Sequence, residues 1–162
     1  MGWTSYAINT TATTDDVLRR EFTQAGTDGS RWEITDTATI GATWYAISKR
    51  TDPTGQAHYS GLVCLTERRK QRNGLTEFFY KDMTEDCGPH AYACPVRILD
   101  QLDQLAPNPA GYAAGWRQAC REHAANKRAK AKARAKQRAE SLAKIEKFIS
   151  DRFLFVNIGV SK

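Results

Sequence analysis

Hydrophobic and polar positions change their period three times along this chain, and the changes divide it into recognisable elements. Gly2 to Ile8 is a short aromatic strand candidate. Thr13 followed by Asp16 resembles a capping box, and it opens a helix predicted over 15–25 with Val17, Leu18, Phe22 and Ala25 on one side and Gly26 as its stop. From Trp32 to Asp82 the period becomes two. Four segments rich in aromatic and β-branched residues, 32–40, 43–49, 56–66 and 75–82, are separated by turn chemistry at Gly41, at Asp52-Pro53-Thr54-Gly55 and at Asn73-Gly74. This is the pattern of a four-stranded antiparallel meander. Successive hairpins place the Gly41 and Asn73 turns at one end of the sheet and the Pro53 turn and the exit at Asp82 at the other. The basic tip formed by Arg68, Arg69, Lys70 and Arg72 is therefore expected far from the segment after Asp82, with His58 nearer to it.

After Pro95 the period returns to that of a helix. Val96, Ile98, Leu99, Leu102 and Leu105 make one apolar face, closed by Pro107 and Pro109. From Tyr112 to about Arg152 no proline intervenes, and no glycine lies between Gly115 and Gly159, so one long helix is predicted, roughly 60 Å at 1.5 Å per residue. Tyr112, Trp116, Cys120 and His123 form a first stripe expected to dock on the body. Leu142, Ile145, Phe148 and Ile149 form a second. Between the stripes Ala alternates with Lys and Arg, which wraps positive charge around the helix and leaves no face to bury, so this section is expected in solvent. The competing arrangement is a break near Ala125 that folds the second stripe back onto the same core. Arg152 to Val160 reads as a short strand or tail.

The resulting fold class is α+β: an antiparallel meander packed with two short helices, plus a long basic C-terminal helix. With 162 residues, 41% hydrophobic and 26% charged, the division expected is an α+β domain over 1–108, a long helix over 109–152 and a terminal segment over 153–162. No apolar run approaches the roughly 18 residues of a membrane span, and the opening MGWTSYAINTT lacks the basic start and apolar region of a signal peptide. Tyr6 stands where a myristoylation signal wants Ser or Thr. A cytoplasmic protein is the expectation.

Charge sharpens this picture. The formal net charge is +6, yet the run 127–138 holds seven bases and no acid, and removing those seven leaves 17 bases against 18 acids. The whole excess thus belongs to one segment, Lys127, Arg128, Lys130, Lys132, Arg134, Lys136 and Arg138. Seven phosphate contacts would give a salt slope of roughly −6 on duplex DNA. Aromatics at Trp3, Trp44, Tyr45, Phe78, Phe79 and Tyr80 would stack on bases if exposed and otherwise belong to the core.

Candidate chemistry concentrates in Phe78 to Pro95. Cys87, His90 and Cys94, with Cys120 and alternatively His123 on the later helix, offer the nitrogen and sulfur ligands of a closed structural zinc site. The same residues also read as half-buried thiols packing a loop against the helix, or, third, as a Cys/His enzyme with Cys94 as nucleophile and His90 as base. Asp82, Glu85 and Asp86 read as helix caps or partners for Lys81 or Arg97 before they read as an acid/base pair. The sequence contains no phosphate-binding glycine loop, no dinucleotide fingerprint, no HExxH and no GxSxG.

MGWTSY at the start, YKDM at Tyr80 to Met83, Gly88-Pro89, Cys94-Pro95, ILDQL at Ile98 to Leu102 and WRQAC at Trp116 to Cys120 together resemble a family of short proteins of uncharacterised activity. Its members are encoded by bacteriophages, prophages and other mobile elements and begin MGWT. The resemblance covers about residues 1–123. Relatives often carry Cys where this chain has His90, an exchange that suits a metal site, and they continue into a further β segment where this chain has 152–162. The resemblance implies an accessory protein in the host cytoplasm and, by analogy with other such proteins, an inhibitor of host defence. The function expected is non-catalytic binding of nucleic acid or a nucleoprotein complex through 127–138 and the 68–72 tip. The alternative is a protein-protein inhibitor or scaffold that oligomerises through Leu142, Ile145, Phe148 and Ile149.

Overall fold

A computed structural model describes residues 4–8, 15–65, 76–82 and 92–157, with side chains described over 15–65 and 92–152. The chain divides into two compact units, residues 1–124 and residues 125–162.

The first unit is built on a six-stranded sheet in the order β1-β6-β5-β4-β3-β2. Its strands are β1 (Thr4–Ile8), β2 (Gln24–Ala25), β3 (Arg31–Ile40), β4 (Thr43–Thr51), β5 (Ala57–Leu65) and β6 (Thr76–Asp82). Every pairing is antiparallel. β3 to β6 are the predicted meander, and the aromatic strand at the start adds to its far edge, Tyr6 opposite Phe78. The β3–β4 turn is only Gly41-Ala42, Ile40 pairing with Thr43, and Gly41 takes the positive φ of 60° that so tight a hairpin needs. A bulge between Ile34 and Asp36 shifts the β3 register against β4.

The centre of the sheet is covered on both faces, which explains why Trp44, Tyr45, Ala46 and Ile47 are all buried in succession. Because side chains alternate along a strand, Tyr45 and Ile47 join Val63 beneath α2 (Val96–Leu105), which contributes Ile98, Leu99 and Leu102. Trp44 and Ala46 join Leu62 and Cys64 on the opposite face, beneath Leu18 of α1 (Asp15–Glu21). α2 matches the predicted helix.

α1 ends earlier than the predicted limit at Ala25. Gln24 and Ala25 pair instead with Trp32 and Arg31, and the Gly26 N–H bonds the Ser30 carbonyl at 2.6 Å. A hairpin with a ready strand partner wins over a last helical turn that would have buried nothing: Ala25 is exposed.

α3 (Gly111–Asn157) is continuous over 47 residues and runs five residues into the segment read as a strand or tail. Its first turns dock on the body with Trp116, Arg117 and Cys120 buried. The predicted stripe is therefore displaced around the helix: Tyr112 is 71% exposed and His123 is exposed. The cause is polar. Arg117 donates to Asp103 Oδ1 and to the Ala106 carbonyl, both at 2.8 Å, capping the end of α2, and Arg121 reaches Asp100 at 3.0 Å and Asp103. An apolar-only reading of this face misses a buried arginine. Among the described residues, no helix is long and apolar enough to cross a membrane.

Candidate functional site

Three places on the chain carry chemistry. The first is the basic run on α3. Alanine, lysine and arginine are all good helix formers, so 127–138 holds a helix without needing to bury a face. Every side chain from 125 to 152 is exposed, including all seven bases. Within that stretch, the ion pair found among the described residues is Lys136–Glu140, at 3.9 Å. The run therefore presents its charge almost undiluted. Beyond it Leu142, Ile145, Phe148 and Ile149 are 47% to 58% exposed, and the Arg152 guanidinium sits 4.7 Å from the Phe148 ring centre. Arg68, Arg69, Lys70 and Arg72 lie outside the described residues.

The second place is the thiol cluster. Cys94 and Cys120 are both buried in the core under α2 and the start of α3, so the structure brings together two of the sequence-predicted ligands. Cys87 and His90 lie outside the described residues, and the alternate ligand His123 is exposed while Cys120 is buried. Among the described residues, no group of three or more His, Cys, Asp or Glu is placed to hold a metal ion. Burial, and then the neighbouring Cys120, push the Cys94 thiol up. Burial alone pushes Cys64, on the opposite sheet face, up to about 12. Such thiols resist forming the thiolate that a nucleophile needs. Arg97 donates to Asp36 Oδ2 at 2.8 Å and to the Thr37 carbonyl, pinning α2 to the bulge of β3; Glu85 and Asp86 lie outside the described residues.

The third place is absent from the sequence reading. Because α1 stops at Glu21, it leaves one end of its sheet face open, and a hollow of about 400 Å³ lies there. Trp32, Arg50, His58, Ser48 and Ser60 line it from three adjacent strands, with Phe22 and Leu62 on its inner side. These strand residues are all even-numbered, so each points to the face opposite α2. Trp32 lies against the backbone of Gly26, where a Cβ would come within 2.7 Å of the ring, and the Arg50 guanidinium lies 5.3 Å from the ring centre on Trp32. Arg50 Nη2 is anchored by Ser30 Oγ at 3.1 Å and Asp28 Oδ2 at 3.4 Å. His58 Nε2 stands 3.4 Å from Asp52 Oδ2. The Thr54 hydroxyl, the backbone N–H groups of Gln56 and Thr54, and His58 hold the Asp52 carboxyl at about 2. His58 is thus engaged by its own turn. The signal that would have found this hollow is the polar pairs Ser48/Arg50 and His58/Ser60, which sit at period two on neighbouring strands and so share a face.

Searches against family models, curated proteins and solved structures found no match to this chain.

Proposed function

We propose that this protein is a non-catalytic accessory protein of a phage or mobile element that binds nucleic acid or a nucleoprotein complex through Lys127 to Arg138. The observation that carries this reading is the exposure of all seven bases of the run, in a chain whose remainder is one charge short of neutral. A helix of alternating Ala and base has no face for packing and several for phosphates. The 68–72 tip adds four bases to the same reading, and inhibition of host defence is the role that the family resemblance suggests for it.

Mobility-shift titrations of single- and double-stranded DNA and RNA test the reading. Retention at 50 mM salt with a log–log salt slope of roughly −6 on duplex DNA is expected. Replacing the seven bases by glutamine preserves helix propensity and is expected to abolish the shift. Binding unchanged by that replacement overturns the proposal.

A second reading is favoured by the four exposed apolar side chains Leu142, Ile145, Phe148 and Ile149: assembly with a second copy or with another protein. Light scattering on the chain cut at Ala139 separates the two, since loss of an oligomer with nucleic-acid binding intact favours assembly. For the thiol cluster we propose a structural zinc ion held by Cys87, His90, Cys94 and Cys120, supported by the burial of Cys94 and Cys120 in one cluster. Its test is one equivalent of zinc in the purified protein, lost together with thermal stability in Cys94→Ser.

A further inference from the structure

We propose that the hollow at the open end of the α1 sheet face binds a nucleotide unit, a phosphate carried on a planar ring. Three features point to that chemistry. First, the polar lining carries a cation and no acid among the described residues: Arg50, His58, Gln24, Ser48, Ser60 and Tyr59 all have groups able to donate. Second, Arg50 is positioned and only partly used. Its hydrogen bonds to described residues both run through Nη2, and Nε–H and Nη1–H remain as donors for charge-assisted bonds to phosphate oxygens. Third, Phe22 and Leu62 add apolar lining, a surface against which a base or similar ring buries part of its face.

The dimensions agree with a ligand of this size. About 400 Å³ falls in the lower part of the range of roughly 300–1,000 Å³ typical of small-molecule sites. The groups are also held before any ligand arrives. Gly26 leaves room for the Trp32 ring close to the backbone, Ser30 and Asp28 fix the guanidinium, and Asp52 orients the His58 ring. Such preorganisation lowers the ordering cost of binding. The site is built from β2, β3, β4, β5 and Phe22 just after α1, and contains no residue of the basic run. A free mononucleotide and the terminal nucleotide of a single strand present the same chemistry.

Calorimetric titration of the full-length chain carrying the seven glutamine replacements tests this without competition from the run. The probes are uridine and adenosine 5′-monophosphate, a 5′-phosphorylated dinucleotide, inorganic phosphate, and the two uncharged nucleosides. Saturable binding of a monophosphate or the dinucleotide, about tenfold or more tighter than phosphate or nucleoside, is expected. Arg50→Gln removes the charge-assisted contacts and is expected to weaken it by at least about tenfold. Ser60→Leu replaces a lining hydroxyl with a branched side chain that protrudes into the hollow while leaving the Arg50–Trp32 pair in place, and is expected to abolish binding even if Arg50→Gln fails to fold. No binding at millimolar probe, phosphate binding as tightly as the nucleotides, or binding that survives Ser60→Leu overturns the proposal.

Discussion

Asp103 is the residue on which the body and the start of α3 converge. It accepts from both Arg117 and Arg121, and although burial opposes ionisation, those two guanidinium groups hold its carboxyl below the usual range. Asp15 does the same on the other face of the sheet. Its partial burial is outweighed by hydrogen bonds from Thr37, from the Trp44 indole at 2.8 Å and from Arg19 at 2.6 Å. Asp103→Ala leaves the buried Arg117 with the Ala106 carbonyl as its acceptor among the described residues, and is expected to cost about 2 kcal/mol, read as a lowered urea midpoint at unchanged slope. The pH dependence follows from the sign of these shifts. A carboxyl whose folded pKa lies below its unfolded value stabilises the fold at all pH above the unfolded value, near 4 for Asp. That contribution fades as pH falls through the folded value. Asp15 and Asp103 move in this direction together, as does Asp52 at about 2. The urea midpoint is therefore expected to be flat from pH 7 to 5 and to drop between about pH 4 and 2. The Asp15→Asn, Asp103→Asn double variant, weaker at neutral pH, is expected to show a shallower drop.

Elements were legible in the sequence to the extent that burial alone decides them. β4 and β5 are aromatic and β-branched runs bounded by turn residues, and α2 keeps a helical apolar period against one face, so these local signals located all three to within two residues. The end of α1 was not legible because it is set by pairing of Gln24 and Ala25 with β3, a non-local competitor that local helix signals do not register. The docking face of α3 was misplaced because Arg117, a residue type read as solvent-facing, is buried by its bonds to Asp103 and Ala106. The hollow was invisible since its lining comes from β2, β3, β4, β5 and Phe22 after α1, which the chain visits separately. Within α3, the bases at 128, 132 and 136 and those at 130, 134 and 138 stand four apart and repel along the same helix faces. Helix content of a peptide spanning 122–152 is expected to rise with salt, and to rise further on adding a polyanion. Circular dichroism that falls or stays flat across the titration would show that charge repulsion does not limit this helix.

At the scale of the whole molecule, the described members of the two core clusters all lie between Leu18 and Cys120, within the first unit. Every described side chain from 125 onward, residues 125–152, is exposed, so that stretch adds charge and apolar surface without adding to either core. A chain ending at Ala124 is accordingly expected to keep the full-length urea midpoint to within about 0.5 kcal/mol of stability, the usual scatter for changes at surfaces remote from a core. The same cut removes all seven bases of the run and leaves a body with 13 bases and 15 acids, near neutrality. Attraction to a polyanion then rests on local patches, and the steep salt dependence of binding is expected to vanish while the calorimetric signal from the hollow on the α1 face remains. Preserved stability with lost mobility shift would separate a self-sufficient body from the segment that engages nucleic acid. A midpoint lowered by several kilocalories per mole would instead make 125–162 part of the folding unit, and its exposed bases would then need a structural explanation before a functional one.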